Sequence, residues 1–428
     1  MQRMRTIAGH FVAPAVGANI STLHPNDVSA LASAALSGPD DVVIVSAKRT
    51  PICKARRGSF KDTVPDALLE AVITRVLKET GIDPKYIGDI AVGNVLAEGS
   101  GAAMARMAQF RCGLPETVPL HGVNRMCSSG LQAVMNIAAG IKAGLYDAGL
   151  GCGMESMSVY KQGSDTNINP KSFEFDKARD CMIPMGITSE NVAEQYGITR
   201  EMQDKMGYES QTKAKRARDL GNFKEEIVPV TTTVLDKDGD SHEVTVSQDE
   251  GIRDTTMAGL TKLRPAFKKD GTTTAGNSSQ VSDGAAAVLL MKRSLAERLR
   301  LPVLGRIISY AVAGVPPRVM GIGPAEAIPK ALEKAGLTIN DIDVFEINEA
   351  FASQATYCVQ KLGIPMEKVN PNGGAIALGH PLGCTGARQV PTLLYELKRR
   401  RKRAFGVISM CIGTGMGAAA VLEYPGTV

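Results

Sequence analysis

The sequence contains no tryptophan, and aromatic residues make up only 4% of its 428 residues. Proteins that bind single-stranded nucleic acid stack the bases on aromatic side chains, so this chain is poorly equipped for that function. The formal net charge of +5 is also small for the length. We therefore expect no nucleic-acid partner, and we expect any basic patch to bind a small anion.

Long apolar runs are missing as well. The longest, residues 285–291, is about a third of the roughly 20 residues that a membrane-spanning helix needs. The shares of hydrophobic residues, 44%, and of charged residues, 22%, are ordinary for a globular protein. The sequence therefore predicts a soluble chain of two or three domains with a sizeable core and no membrane span.

The eight cysteines are scattered, form no Cys-x-x-Cys pair and have no histidine nearby at the spacing of a zinc site. This pattern argues against a structural zinc ion and against a disulfide framework. Free cysteines are typical of a reducing compartment, where most are small buried hydrophobes and one or two are reactive. We expect no metal site.

Residues 1–40 differ from the rest of the chain, because Ala, Ser and Gly dominate and the first 26 residues carry only two charges. We interpret them as a targeting leader. The order Arg3-Met4, five residues and then His10-Phe11 resembles the amino-terminal peroxisomal signal, although Phe11 stands where that signal has Leu or Ala. The leader predicts delivery to the peroxisome by an import receptor. A mitochondrial presequence is the alternative, and cleavage of the leader is left open.

The chain contains an internal duplication. Three segment pairs recur in the same order at nearly equal offsets of 255, 256 and 257 residues: 81–82 with 336–337, 130–134 with 386–390, and 148–151 with 405–408. Equal offsets in one order indicate two copies of one structural unit.

Strand and helix patterns alternate within each copy. In the first copy we predict a strand at 41–46, a helix at 65–80, a strand at 87–96, a helix after Cys127 and a strand at 148–153. This alternation predicts an α/β protein with largely parallel sheets.

Residues 160–282 have no counterpart in the second copy and are more polar, so they form a predicted insertion. It should contain a helix at 189–196, ended by Gly197, and a β-ribbon at 227–246 that turns at Asp238-Gly239. The predicted domains are an amino-terminal half (41–159 and 283–300), the inserted domain (160–282) and a carboxyl-terminal half (301–428). Insertions on a rigid scaffold often bind ligands.

Cys127 precedes Ser128-Ser129-Gly130 and a stretch from Leu131 in which apolar residues recur every three or four positions. This spacing places Cys127 at the amino terminus of a helix, where free backbone N–H groups and the helix dipole stabilise a thiolate. We interpret Cys127 as a nucleophile, and a buried structural cysteine is the alternative.

His380 is one of only five histidines and lies between Gly379 and Pro381 in a glycine-rich loop, residues 373–383. Glycine lets a backbone approach a ligand closely. If folding places His380 beside Cys127, the imidazole can take the thiol proton. A hydrogen-bonded histidine in a turn is the alternative.

Cys411 and three alternating glycines separate two predicted strands, 404–410 and 418–424. The glycines look like a dinucleotide loop, but the helix that such a loop requires cannot follow, because 11 residues remain and Pro425 stops a helix. We predict that the turn exposes Cys411 and directs backbone N–H groups at an oxyanion. A buried cysteine in a hairpin turn is the alternative.

Asn348 follows a predicted strand, residues 342–347, and begins the sequence Asn-Glu-Ala-Phe. The carboxyl ends of strands in α/β sheets commonly carry site residues. Asn348 is therefore a candidate site residue, and a helix cap is the alternative.

Four stretches occur together in this chain: Cys-Ser-Ser-Gly at 127–130, Asn-Glu-Ala-Phe at 348–351, Gly-His-Pro-Leu-Gly at 379–383 and Cys-Ile-Gly-Thr-Gly at 411–415. In this order and spacing they resemble the thiolase family, in particular its peroxisomal 3-ketoacyl-CoA members, from about residue 41 to 424. The resemblance implies a duplicated αβαβα fold of five layers, an inserted loop domain that binds coenzyme A, and a homodimer. It implies an acyltransferase of fatty acid β-oxidation that uses coenzyme A as a substrate and requires no other cofactor.

By the same resemblance, Cys127 is the residue that becomes acylated, His380 is its base and Cys411 is the acid/base at the acetyl-CoA carbon. Asn348 holds a water that forms one oxyanion hole with His380, and the backbone N–H groups of Cys127 and Gly413 form the other.

The resemblance also suggests Arg253 and Ser279 as contacts of coenzyme A. The chain departs from the pattern at Met126, where relatives usually have Gln. Because Met126 borders the nucleophile, substrate fit or rate can differ, but no chemical role is lost.

Three other functions compete with this interpretation. A decarboxylating condensing enzyme of the ketoacyl synthase type has His or Asn where Cys411 stands, so Cys411 disfavours it. A non-catalytic acyl-CoA-binding relative need not keep Cys127, His380 and Cys411. A biosynthetic acetoacetyl-CoA thiolase is the third. Acyl chain length, physiological direction and dimer versus tetramer are left open.

Overall fold

The computed structural model describes residues 38–161 and 167–426. The strands among these residues are β1 (Val42–Arg49), β2 (Cys53–Lys54), β3 (Ile87–Gly93), β4 (Leu120–Val123), β5 (Ala148–Ser156), β6 (Val230–Leu235), β7 (Ser241–Val246), β8 (Ser282–Lys292), β9 (Gly305–Gly314), β10 (Val344–Ile347), β11 (Ala404–Ile412) and β12 (Met416–Tyr424). The leader motif, from Arg3 to Phe11, lies outside the described residues.

The α-helices are α1 (Pro65–Thr80), α2 (Ala102–Arg111), α3 (Ser129–Lys142), α4 (Asp176–Asp180), α5 (Met185–Tyr196), α6 (Arg200–Asp219), α7 (Met257–Thr261), α8 (Arg293–Arg298), α9 (Gly323–Ala335), α10 (Ala352–Leu362), α11 (Ala375–Leu378) and α12 (Leu382–Arg399). Short 3-10 turns lie at Pro84–Tyr86, Glu98–Gly101, Pro170–Glu174, Pro317–Ile322, Ile339–Asp341 and Met366–Lys368. In the part of the chain that the structure describes, no helix has the length and apolar character needed to cross a membrane.

The large sheet contains the two predicted copies side by side. Its order is β10-β11-β12-β9-β1-β8-β5-β3-β4, with β2 paired to β8. The first copy therefore reads β1-β8-β5-β3, and the second reads β9-β12-β11-β10. They join where Val43 lies opposite Arg306 and Ile44 opposite Gly305. The predicted duplication is confirmed.

The helices complete five layers. The central helices α3 and α12 lie between the two halves of the sheet, and apolar residues of both copies pack around them. Helices α1 and α2 cover the outer face of the first copy, and α9 and α10 cover that of the second. Because sheet faces and helix stripes are apolar, each layer is buried against the next. The predicted αβαβα fold is confirmed.

The two copies begin their outer helices in the same way and end them in the same way. Helix α1 starts with Pro65, whose fixed φ suits the first turn, and it ends at Gly81 with φ 61°. Helix α9 carries Pro324 near its start and ends at Gly336 with φ 66°. Gly81 and Gly336 are the pair with which the sequence repeat begins, because both occupy the left-handed cap position that favours glycine.

The central helices touch at glycines. A Cβ at Gly130 would lie 2.7 Å from both the Gly383 oxygen and the Ala387 nitrogen, and one at Gly386 would lie 2.4 Å from the Leu131 nitrogen. Real Cβ contacts are longer than this, so any larger residue would separate α3 from α12. Gly130 and Gly386 are equivalent positions of the repeat.

The prediction of largely parallel sheets is wrong. Pairs β3/β4, β3/β5 and β10/β11 are parallel, but β1/β8, β5/β8, β11/β12 and β9/β12 are antiparallel. The reason is the connection to the last strand of each copy. Strand β12 follows β11 through a tight hairpin, and β8 is reached through the polar segment after β5, so neither enters by a helical crossover.

The segment between β5 and β8 carries α4 to α7 and the ribbon β6/β7. Helix α5 ends at Gly197, and the ribbon turns at Gly239, with φ 89°, as predicted. A buried ion pair attaches the segment to β1: Arg49 Nε lies 2.6 Å from Glu226 Oε1, and Arg49 Nη1 lies 2.7 Å from Asp249 Oδ1. The exact domain boundaries stay a prediction.

Candidate active site

Cys127 lies in a strained turn directly before α3, at the helix amino terminus that the sequence predicts. Met126 adopts φ 46°, an uncommon conformation for a residue other than glycine. Hydrogen bonds hold it there. The Met126 N–H donates to Asn124 Oδ1 at 2.9 Å, and Ser129 Oγ donates to the Met126 carbonyl at 2.6 Å. The turn thus fixes the direction of the Cys127 side chain.

Burial of Cys127 favours the protonated form of its thiol. Burial raises its pKa to about 11, although backbone N–H groups of Gly413 and of Cys127 itself approach the sulfur and oppose this shift. This opposes the thiolate that the helix position predicts, because burial raises the pKa of the thiol by more than the amino terminus of α3 lowers it. The two N–H groups that approach the sulfur are those that the resemblance assigns to one oxyanion hole.

Thr385 orients the His380 ring. The distance from His380 Nδ1 to Thr385 Oγ1 is 2.6 Å, and the same hydroxyl donates to the Pro381 carbonyl at 3.1 Å. Since its proton is used in that bond, Thr385 Oγ1 accepts the Nδ1 proton. The lone pair is then on Nε2, which accepts a long hydrogen bond from Asn348 Nδ2 at 3.4 Å.

The imidazole of His380 is neutral. Burial, assisted by the positive charge of Arg388, lowers its pKa to about 3. Leu382, two residues after His380, packs with Met157 against Cys127. A neutral imidazole with its lone pair on Nε2 can act as a base towards a protonated thiol.

Cys411 lies in β11 and is fully buried, so the prediction that a turn exposes it is wrong. The strand continues through Ile412 because β12 pairs with it as far as Met416. Burial raises the pKa of the Cys411 thiol well above its ordinary value, and the nearby Cys127 adds to the shift. Apolar residues surround the sulfur: Met320, Ala350, Met185 and Phe351.

The turn after Cys411 brings Gly413 to the nucleophile. Thr414 and Gly415 adopt positive φ values of 69° and 95°, and a Cβ at Gly415 would lie 2.4 Å from the Val315 oxygen. Strand β12 follows this turn. As the sequence predicts, the glycines lead into a strand and not into the helix that a dinucleotide loop requires.

Asn348 is buried at the carboxyl end of β10. Its N–H donates to the Ser409 carbonyl at 2.8 Å. Its Oδ1 is buried and has no hydrogen-bond partner among the described residues. Helix α10 is capped by Phe351, so Asn348 is not a helix cap. An unpaired buried acceptor beside His380 is suited to a water or a substrate group.

Two buried carboxylates that the sequence analysis missed hold the loops of the site. Glu349 accepts from Ser210 Oγ at 2.6 Å and from the Ile376 N–H at 3.2 Å, which attaches α6 to the loop before His380. Glu155 accepts from the Gly383 N–H at 2.9 Å, and burial raises its pKa to about 7. Both residues lie at the carboxyl ends of strands, and this position is the feature by which the sequence could have indicated them.

Arg253 and Ser279 lie on segments that contact the catalytic loops. The Ser279 N–H donates to the Ala350 carbonyl at 3.0 Å. The Arg253 N–H donates to Gln211 Oε1 at 2.8 Å, and Gln211 Nε2 reaches the Ile376 carbonyl at 3.2 Å. Arg253 is exposed, and its guanidinium pairs with no carboxylate among the described residues.

No cluster of His, Cys, Asp or Glu in residues 38–161 and 167–426 has the geometry of a metal site.

The pKa of His121 should lie above the ordinary value for histidine, and the pKa of His380 should lie below it. His121 Nδ1 lies 3.4 Å from Asp89 Oδ2, and this hydrogen bond raises its pKa. On acidification from about pH 8 to about pH 5, His121 should gain a proton, while His380 should stay neutral with its proton on Nδ1. Nitrogen NMR of histidine-labelled protein measures both, with His121→Asn and His380→Asn as assignment controls. An imidazolium signal from His380 near pH 6 would contradict this electrostatic account.

Comparisons with known proteins agree with this geometry. The family model of the thiolase N-terminal domain matches residues 42–294, and that of the thiolase C-terminal domain matches residues 301–424. The chain is 64% identical to human peroxisomal 3-ketoacyl-CoA thiolase over 427 residues, which cover 100% of both chains.

Solved structures give the same result. The dimeric peroxisomal thiolase of Saccharomyces cerevisiae is 50% identical with a TM-score of 0.82, over 91% of this chain and 98% of that one. Human mitochondrial 3-ketoacyl-CoA thiolase in complex with CoA is 38% identical with a TM-score of 0.80, over 90% and 98% of the respective chains. The chain belongs to the thiolase family.

Proposed function

We propose that this protein is a 3-ketoacyl-CoA thiolase of fatty acid β-oxidation, which cleaves its substrate with coenzyme A to acetyl-CoA and an acyl-CoA shorter by two carbons. One observation carries the proposal: two buried thiols, Cys127 and Cys411, lie close enough to influence each other, and the loop of the neutral base His380 packs against Cys127 through Leu382. Breaking a carbon–carbon bond next to a ketone requires a nucleophile at one carbon and an acid at the other, and one thiol cannot do both.

In the first step His380 Nε2 takes the proton of Cys127 as the sulfur attacks C3 of the substrate. The S–C3 bond forms, the C2–C3 bond breaks, and its electron pair goes to C2. Carbon C2 then takes the proton of Cys411, which releases acetyl-CoA. The acyl group remains on Cys127, with a protonated His380 and a Cys411 thiolate.

In the second step coenzyme A replaces acetyl-CoA. The Cys411 thiolate takes the proton of the coenzyme A thiol as the coenzyme A sulfur attacks the acyl carbon. The bond from C3 to Cys127 breaks, and His380 returns its proton to Cys127. Every group is then restored, as a ping-pong mechanism requires.

The protonated His380 and the Cys411 thiolate of the acyl-enzyme arise only during the reaction. Burial makes the separated ions costly in the free site, since it raises the pKa of Cys127 and lowers that of His380. Proton transfer is therefore coupled to formation of the S–C3 bond, which moves the negative charge onto the substrate oxygen. We assign the N–H groups of Cys127 and Gly413 to that oxygen, and a water held by Asn348, together with His380, to the thioester oxygen.

We assign coenzyme A binding to the predicted inserted domain, residues 160–282. Arg253 supplies an exposed cation for phosphate, and Ser279 lies beside the loop that carries Asn348. Gln280 connects this domain to the base, because the His380 N–H donates to its carbonyl at 3.0 Å.

We also propose a peroxisomal homodimer. The human relative at 64% identity is peroxisomal, and the peroxisomal thiolase of Saccharomyces cerevisiae is dimeric. Strand β4 is a sheet edge and pairs only with β3 among the described strands. Helix α2, which packs against β4, exposes Met107 and Phe110. An open edge beside exposed apolar residues is suited to pairing with a second copy. The leader motif Arg3 to Phe11 is the proposed ligand of the import receptor.

Steady-state thiolysis tests the proposal. With 3-ketoacyl-CoA substrates of short, medium and long chain, the wild type should turn over. Cys127→Ala and Cys411→Ala should each lose at least ~10³-fold in kcat, because each removes a group that forms or breaks a bond. Cys112→Ala, a partly buried thiol outside the site, is the matched control and should stay within about 2-fold of the wild type. Binding of the substrates without turnover would support a non-catalytic acyl-CoA-binding protein instead.

Arg253→Ala tests the coenzyme A assignment. Loss of a charged hydrogen bond to phosphate should raise the KM for coenzyme A by about 10-fold while kcat changes less than about 2-fold. Lys237→Ala, which removes an exposed cation in the β-ribbon turn of the same domain, should leave the KM unchanged. Equal effects of the two variants would show that general charge, and not a contact of Arg253, attracts coenzyme A.

A further inference from the structure

We propose that Gln354 is a positioning residue for Cys411, whose side-chain amide donates a hydrogen bond to the Cys411 sulfur and stabilises the thiolate formed during the reaction. This inference rests on the proposed function of Cys411 as the acid/base. Neither the sequence motifs nor the resemblance points to Gln354.

The direction of the amide follows from its two backbone neighbours. With its nitrogen towards the Asn348 carbonyl at 3.0 Å and its oxygen towards the Ala355 N–H at 2.7 Å, both ends of the amide are paired. The opposite orientation would place acceptor against acceptor and donor against donor. The paired orientation is therefore the stable one.

The amide end that faces the Asn348 carbonyl is also the end that lies 3.3 Å from Cys411 Sγ. In the paired orientation this end is the NH₂ group, which has two protons. One proton is used by the Asn348 carbonyl, and the other is directed at the sulfur. Gln354 itself is buried, with 1% of its surface exposed.

Gln354 is the polar side chain that the described structure places within hydrogen-bonding distance of Cys411 Sγ. The other side chains that pack with Cys411 are apolar, namely Met320, Ala350, Met185 and Phe351, and the nearby thiols of Cys127 and Cys358 further disfavour its thiolate. In such surroundings a thiolate lacks water, so a single N–H donor contributes much more than it would at the surface. The same amide holds the Asn348 backbone and thereby couples the acid/base to the predicted oxyanion hole.

The chemistry gives Gln354 one specific task. When Cys411 gives its proton to C2 of the departing acetyl-CoA, the negative charge passes from carbon to sulfur. In the reverse direction the Cys411 thiolate takes a proton from C2 of acetyl-CoA. The Gln354 N–H is aimed at the atom on which this charge resides, and it plays no part in acylation of Cys127.

Exchange of the C2 protons of acetyl-CoA with deuterium from solvent, followed by proton NMR, isolates the Cys411 step in the full-length protein. Gln354→Met keeps the size of the side chain and removes the donor. The exchange rate should fall about 10- to 100-fold, as for loss of a hydrogen bond to a charged group, and its pH profile should shift to higher pH. The alkylation rate of Cys127 by iodoacetamide should stay within about 2-fold of the wild type.

Gln109→Met is the matched control, because Gln109 is also buried but bonds to the Pro115 and Val118 carbonyls, outside the proposed site and the coenzyme A domain. It should preserve exchange and alkylation. An exchange rate of Gln354→Met within about 2-fold of the wild-type rate would overturn the proposal. An equal loss of exchange and alkylation, without a shift of the pH profile, would overturn it as well. Absence of exchange and of thiolysis in the wild type would instead overturn the proposed function.

Discussion

The close contact between α3 and α12 is the constraint on which the rest of the structure depends. Each helix begins beside a residue of the proposed site: α3 follows Cys127, and α12 follows His380. Gly130 and Gly386 let the two helix backbones touch near these starts. The proposed nucleophile belongs to one copy of the repeat and the proposed base to the other, so neither copy contains the whole proposed site. The duplication places the two helix starts together, and the layers around them keep water out.

Burial determines how the site can operate. It raises the pKa of Cys127 and of Cys411 and lowers that of His380, so it favours the neutral form of all three groups. In the proposed mechanism His380 therefore gains a positive charge only when a substrate oxygen or carbon takes up the matching negative charge. The fixed donors near that point are backbone N–H groups, whose positions are set by the strained turn at Met126 and the hairpin at Gly413. Buried carboxylates such as Glu155 hold the adjoining loops through N–H groups, so the site is rigid before the substrate enters.

Much of the fold could be predicted from local pattern. Helix α1 has the predicted bounds, since Pro65 and Gly81 mark its ends, and the repeat offsets predicted two equivalent copies. Strand direction was missed for two reasons: β8 obtains its neighbours β1 and β5 from distant parts of the chain, and β12 turns back beside β11 through a hairpin, which a pattern of alternating strands and helices does not indicate. The burial of Cys411 was missed because pairing with β12 extends β11 past the predicted turn. Thr385, Glu349 and Gln354 act through contacts that exist only in three dimensions, whereas the roles of Arg253 and Ser279 stay predictions.

The central claim is that the acyl group is carried by Cys127, while Cys411 handles only protons. The most direct measurement mixes the protein with a 3-ketoacyl-CoA in the absence of free coenzyme A, quenches with acid and maps the digested peptides by mass spectrometry. The account predicts an acyl group, two carbons shorter than the substrate chain, on the peptide that contains Cys127, with the Cys411 peptide unmodified. An acyl group on Cys411, or turnover without any covalent adduct, would contradict it.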